Sequence, residues 1–464
     1  MKKFYYSFLL LALFIGISSA SAKVDIVGDF GANYGGSDND RFYSLDWFSD
    51  GSYVAVGSTK SSFGTITNSG EEDGLVVIYD KNNNVKKEFT WVSEDTNKSE
   101  RFYEVKVIDD QSFLACGDAT LEGYCVKFKT DGSVVWTRKI GNVSTTNKYS
   151  IYKLNNGNFL ISNDNVLSRY YILKSTGEIE SNVTIGDNQY SGGKITEFVA
   201  FNNNIIGVGQ SNVTGNTSLF KISNTGELLD TKVFSSDTSS IIDDVDVLDN
   251  NLLLSIETGV CNNNCVDVFG NNHNSSGALA IVDPSYNIVK SADLGLAGVS
   301  KIVTNIVDDY IVVTANSGDG IHSYLMYFDK SLNLVKKNEY KFEDRSHFSF
   351  EDSKINPLNK NVYIVGYIAK EYGTIRNNGG IDAFVMSAHP VVTNESNQSN
   401  GSSVVNPSND TSSENKTEVK EEKKEPIENP ETGAFVNTLF VIGLATILAV
   451  VVINIRNKKK LFRL

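Results

Sequence analysis

Four cysteines, four histidines and one duplicated loop are the parts of this 464-residue chain whose types and spacing invite chemistry. Cys116 and Cys125 fall on what read as adjoining strands, and Cys261 and Cys265 form a C-N-N-N-C loop. In an oxidising compartment two disulfides are the natural reading, although so short a loop strains the geometry of the second bridge. A zinc site competes with it, but His273, His322, His347 and His389 share no spacing with either cysteine pair. The duplicated loop says more. FGTITNSGEEDGLVV at 63–77 and YGTIRNNGGIDAFVM at 372–386 align without gaps at an offset of 309, sharing Gly, Thr, Ile, Asn, Gly, Asp and Val. Phe63 and Tyr372 offer ring faces, and Asn68, Asp73, Asn377 and Asp382 offer amides and carboxylates. Such a set suits a sugar, or calcium with a sugar, because every hydroxyl stripped of water needs a new partner. The other reading is an inherited repeat in which Asp73 and Asp382 anchor turns through side-chain to backbone hydrogen bonds. No cofactor other than calcium is expected.

The elements that position these residues repeat along the chain. Arg41 to Gly57 and Arg101 to Gly117 align at an offset of 60 with 7 of 17 residues identical. The unit recurs more loosely as a short strand, a polar turn, an apolar strand ending near a glycine, a variable loop and a third strand. A tight turn and a fourth strand follow. Taking Asn83, Gly132, Gly177, Gly226, Tyr286 and Leu332 as equivalent turn positions, the spacings are 49, 45, 49, 60 and 46. That is the length of a four-stranded propeller blade. A seventh unit ends after its third strand near Ala388, while Lys23 to Gly36 stands as an orphan strand before the first. The expected fold is all-β: a seven-bladed β-propeller over 23–390, closed by pairing the N-terminal strand with the last blade, which removes the open edge.

The stretch from Tyr34 to Asp80 resembles the propeller repeats of secreted Gram-positive surface proteins, through Gly35, Gly36, Asp50, Gly51, Val54, Val56, Gly57, Asp73, Leu75, Val76, Val77 and Asp80. Both termini read as addresses. Lys2 and Lys3, the apolar run from Phe4 to Ile17 and Ala20-Ser21-Ala22 make a removable secretory signal over 1–22. At the other end Asn429, Pro430, Glu431, Thr432 and Gly433 precede an apolar segment, 434–455, long enough to span a bilayer, and then Arg456, Lys458, Lys459, Lys460 and Arg463. This arrangement resembles the sorting signal of sortase-anchored surface proteins, with Asn429 where the commonest pattern has Leu. The resemblance implies cleavage after Thr432 by a sortase, transfer to a cell-wall precursor, and a membrane-spanning precursor with a cytoplasmic C-terminus. Residues 391–428, without a single aromatic residue, read as a disordered stalk.

Charge removes one class of partner. The 31 basic and 47 acidic residues of 23–390 give no basic footprint for a nucleic acid. No catalytic residue is identified: the chain has no G-x-S-x-G, H-E-x-x-H or phosphate-binding loop, and no sialidase-type S-x-D-x-G-x-T-W box. The sequence thus reads as a wall-anchored, extracellular binding or adhesion module for a glycan or protein. A glycan-processing hydrolase or lyase and a structural surface-layer component are the alternatives.

Overall fold

The computed structural model describes residues 23–393, apart from segments 95–97, 143–147, 164–168, 186–192, 211–216, 235–239, 259–264, 267–271, 274–276, 297, 342–347 and 373–374. The secretory signal, the sorting motif, segment 434–455, residues 394–428 of the stalk and Cys261 lie outside the described residues. So do the side chains of Cys265 and His273, and all of His347. Among the described residues no helix is long and apolar enough to cross a membrane.

Seven four-stranded antiparallel sheets form the blades of a β-propeller. Blade 1 runs Asp40–Trp47, Tyr53–Thr59, Asp73–Tyr79 and Val85–Trp91 from the axis outward. The inner strands of blades 2 to 7 are Glu100–Asp109, Tyr149–Lys153, Lys194–Phe201, Ser240–Leu248, Val299–Val307 and Phe348–Ile355. Burial follows from this placement. The second and third strands of blade 1 are buried at every residue because a neighbouring blade covers each face. That is why YVAVGST and DGLVVIY read as almost unbroken apolar runs. The outer strand VKKEFTW is covered only at its end and carries the charges. The apolar surface collects in seven clusters, one at each junction between successive blades, including the junction of blade 7 with blade 1.

The six turns between third and fourth strands match the spacing read from the sequence. Asn83, Gly132, Gly177, Gly226, Tyr286 and Leu332 all have left-handed φ, between 57° and 93°. Each donates its N–H to the carbonyl three residues earlier. Asp80, Asp283 and Asp329 brace their turns by accepting backbone N–H groups two and four residues on.

Closure is supplied by the N-terminal strand. Lys23–Tyr34 pairs antiparallel with Asp382–Thr393, from Lys23↔Thr393 to Tyr34↔Ala383, and completes the sheet begun by Phe348–Ile355 and Val362–Ile368. The last strand runs past the expected domain end at 390 because its partner continues alongside it to Lys23. Cys116 and Cys125 face each other across the second and third strands of blade 2, Cα atoms 4.1 Å apart, and form a fully buried disulfide.

Candidate functional site

The inner strands are not regular, and their irregularity builds the site. In six blades the inner strand carries a β-bulge opposite the second strand, between Phe42 and Ser44, Phe102 and Glu104, Ile195 and Glu197, Ile242 and Asp244, Val299 and Lys301, and Phe350 and Asp352. A bulge inserts one residue and re-aims its side chain. In blades 1, 2, 4 and 7 the opposing residue is Gly57, Gly117, Gly209 or Gly366. A Cβ on any of these would stand 1.8–2.1 Å from a backbone carbonyl oxygen of the bulged strand, so only glycine admits the approach. Five of the inserted residues, Tyr43, Tyr103, Thr196, Asp243 and Glu351, line a cavity on the propeller axis.

That cavity has a volume of about 400 Å³ and is walled by the inner strands of all seven blades. Its wall carries eight carboxylates and four lysines. Lys354 Nζ stands 3.6 Å from Glu104 Oε1 and 3.9 Å from Asp352 Oδ2. Asp352 Oδ2 also accepts the Ser44 hydroxyl at 2.9 Å and the Leu45 N–H at 3.1 Å, tying blade 7 to blade 1. Similar carboxylate braces cross other junctions. Asp46 takes the Val107 N–H at 2.7 Å, and Asp244 takes the Thr304 N–H at 2.7 Å. Lys106 pairs with Asp46, Lys301 with Glu351, and Lys148 with Asp243. Burial pushes Glu104 up to about 7, Asp244 up to about 6, and Glu197 and Asp246 up to about 8, with nearby carboxylates adding to the rise. Glu104, Asp352, Asp46 and Glu197 hold Lys354 charged, well above the usual lysine range, against its own desolvation.

Two polar atoms in this wall are buried without a hydrogen-bond partner in the protein: Trp47 Nε1, a donor, and Asp246 Oδ2, an acceptor. An aromatic run leads along the wall. Tyr43 and Tyr103 have ring centroids 4.9 Å apart, and Tyr103 stacks on Tyr149 at 5.8 Å. None of these residues was singled out by motif. The signal was present in the repeats RFYSLDW and RFYEVKV, whose third residue is the bulge, but nothing local shows that five such positions meet.

The duplicated loops are folded alike. Phe63 bridges Ile66, and Tyr372 bridges Ile375. Asn68 Nδ2 donates to the Lys60 carbonyl at 2.9 Å, and Asn377 Nδ2 to that of Ile368 at 3.0 Å. Asp73 accepts the Ser69 N–H at 2.8 Å, and Asp382 accepts the Asn378 N–H at 2.6 Å. Both aspartates are fully buried. Phe63 packs edge-on against Tyr34, with centroids 5.2 Å apart, while Tyr372 lies against Tyr340 and Phe348 and is 36% exposed. The six residues of the duplicated loops therefore shape their own loops, and the two rings belong to different blade junctions. The comparable loop of blade 5 falls largely outside the described residues. His322 lies between Asp319 at 2.8 Å and Glu339 at 3.3 Å. Among the described residues no group of three or more His, Cys, Asp or Glu side chains has metal-binding geometry.

No protein-family model matches the sequence, and neither does any curated protein. Among solved structures, similarity extends to Raptor from Chaetomium thermophilum, with a TM-score of 0.49 and 12% identity over 77% of this chain and 29% of that one. BamB from Moraxella catarrhalis is similar with a TM-score of 0.42 and 12% identity over 77% of this chain and 85% of that one. A protein of unknown function from Bacteroides caccae has a TM-score of 0.36 and 15% identity, covering 58% of this chain and 92% of its own.

Proposed function

We propose that this propeller is a ligand-capturing module displayed outside the cell, with the axial cavity as its binding site. The observation that carries the reading is the pair of unpartnered atoms in the cavity wall, Trp47 Nε1 and Asp246 Oδ2. Each costs about 1–3 kcal/mol when left buried and unpaired; a ligand hydroxyl, which both accepts and donates, satisfies either, whereas an ammonium satisfies Asp246 alone. The volume is that of a small-ligand pocket. The excess of carboxylates over lysines favours a hydroxyl-rich or amine-bearing group, and the tyrosines supply ring faces. An amino sugar of a glycan has this chemistry, and a lysine side chain presented by a protein supplies the ammonium half of it. Display and wall attachment through Thr432 rest on the terminal sequences alone, which support a sortase substrate.

The test uses the chain released from cells by muramidase, scored for both retention and product formation on panels of glycans and lysine-bearing peptides. The double variant Trp47→Phe with Asp246→Asn removes the indole N–H and the carboxylate charge while keeping an aromatic ring and the size of the Asp246 side chain. It is expected to weaken retention roughly tenfold to a hundredfold. Phe63→Ala with Tyr372→Ala should retain the ligand. Undiminished binding by the cavity variant would move the site elsewhere, and product formation would assign a hydrolase or lyase instead.

A further inference from the structure

Two pairs of buried acids stand at equivalent places on successive blade junctions, outside the axial cavity. At the closure seam, Asp40 and Asp382 are both fully buried. Every donor to Asp382 goes to Oδ2, from Asn33 Nδ2 at 2.8 Å and the Asn378 N–H at 2.6 Å, and Oδ1 has no hydrogen-bond partner. Asp40 accepts from the Gly36 N–H and the Ser61 hydroxyl, both at 2.8 Å, and from Thr59. Gly35 packs against both carboxylates: a Cβ there would clash with Asp382 Oδ1 at 2.6 Å and with Asp40 Oδ2 at 2.7 Å, so the two oxygens, from different strands, are close neighbours.

The arrangement recurs at the next junction, where Asp73 takes the place of Asp382 and Glu100 that of Asp40. Both are fully buried, and each has an unpartnered oxygen, Asp73 Oδ1 and Glu100 Oε2. The other oxygens are used: Ser69 N–H bonds Asp73 Oδ2 at 2.8 Å, and Ser93 bonds Glu100 Oε1 through its N–H at 3.2 Å and its hydroxyl at 2.5 Å. The two acids of each pair stand on paired backbones: the Glu100 N–H donates to the Glu72 carbonyl, next to Asp73, at 2.7 Å, as the Asp40 N–H donates to the Ile381 carbonyl, next to Asp382, at 2.6 Å, and in each pair the negative charges repel. Two adjacent carboxylates out of water, with polar atoms left over, are unstable unless a cation or a proton sits between them.

We propose that each pair holds one hard divalent cation, with calcium favoured, which clamps blade 7 to blade 1 and blade 1 to blade 2. The donors are all oxygen, which selects calcium or magnesium over softer metals, and irregular geometry from separate strands suits calcium. Two carboxylates per ion place the affinity in the weak, roughly 10⁻⁴–10⁻³ M range of extracellular modules. The cation at the closure seam binds the segment carrying Gly35, the inner strand of blade 1 and the last strand of the ring to one another.

Calorimetric titration of calcium chloride into the EDTA-treated full chain tests this, with circular dichroism confirming that each variant is folded. The wild type should bind two ions, Asp382→Asn one, and Asp73→Asn with Asp382→Asn none. Its melting temperature should rise with calcium. If Asp382→Asn does not fold, Glu100→Gln provides the same test at the other junction. A folded wild type that binds no calcium at 10 mM (~10 times the weak end of the expected range) overturns the proposal. So does an unchanged stoichiometry in a folded variant. A melting temperature of the folded wild type that does not rise with calcium overturns it as well.

Discussion

A single missing methyl group decides the shape of the inner strands. Gly57, Gly117 and Gly366 lie two residues before the ends of the second strands of blades 1, 2 and 7, and a Cβ on each would stand 1.8 Å from the carbonyl oxygen of Arg41, Arg101 or Ser349. Relief requires withdrawing a backbone segment that also supports a cavity residue. Gly57→Ala should therefore destabilise the fold by roughly 3 kcal/mol or more, the range reserved for a broken packing constraint. Gly157 is the control: its φ of 85° carries strain for any L residue, but a Cβ there meets nothing within 4 Å. Gly157→Ala should cost only about 1–2 kcal/mol. Denaturant titration of the two variants checks the difference, and equal losses would mean that conformation rather than contact governs both sites.

Among the strands, the N-terminal one has the greatest leverage, because it is the only element of blade 7 that is distant in sequence from the rest of that blade. Its pairs from Val24↔Val392 to Phe30↔Ser387 cover the outer edge of the last strand. Deleting Val24 to Phe30 should expose that edge and open the ring at the junction where Tyr34 packs with Phe42 and Val385. The expected result is loss of soluble monomer on size-exclusion chromatography. A monomer with an unchanged melting curve would show that the other three strands hold the blade unaided.

For the whole molecule, the axial acids set a pH dependence. Glu104 is held at about 7, and Glu197 and Asp246 at about 8, chiefly by burial, against roughly 4 in the unfolded chain. Between these limits the folded state keeps protons that the unfolded state has released, so stability falls as pH rises. The melting temperature should drop between about pH 5 and pH 8, and Glu197→Gln should remove part of the slope. Lys354 stays charged throughout and adds no slope in this window. An amine-bearing ligand should show the opposite trend, binding more tightly toward pH 8 as the cavity ionises. Calorimetric melts and binding isotherms at matched pH separate the two, and a flat melting profile would show that the acids are ionised in both states.

Strand count, blade spacing, the turn at each hairpin and the closing role of Lys23–Tyr34 were all legible in the sequence, because each rests on contacts between neighbours or on a fragment left without a partner. Even Tyr286 and Leu332, bulky residues with left-handed φ and no local signal, were placed by spacing alone. The Cys116–Cys125 bridge was legible for the same reason, since one turn joins its two strands. The duplicated loop was visible too, but whether its aspartates face solvent or a second buried acid was not. The axial cavity was not legible at all. Glu104, Glu197, Asp244 and Lys354 come from four blades, and their spacing along the chain carries no period that distinguishes them from surface acids and lysines. Only closure of the ring brings them to one axis. Burial there raises the carboxyl pKa values and makes an unpartnered indole N–H costly, so the chemistry of the site arises from position rather than from residue type.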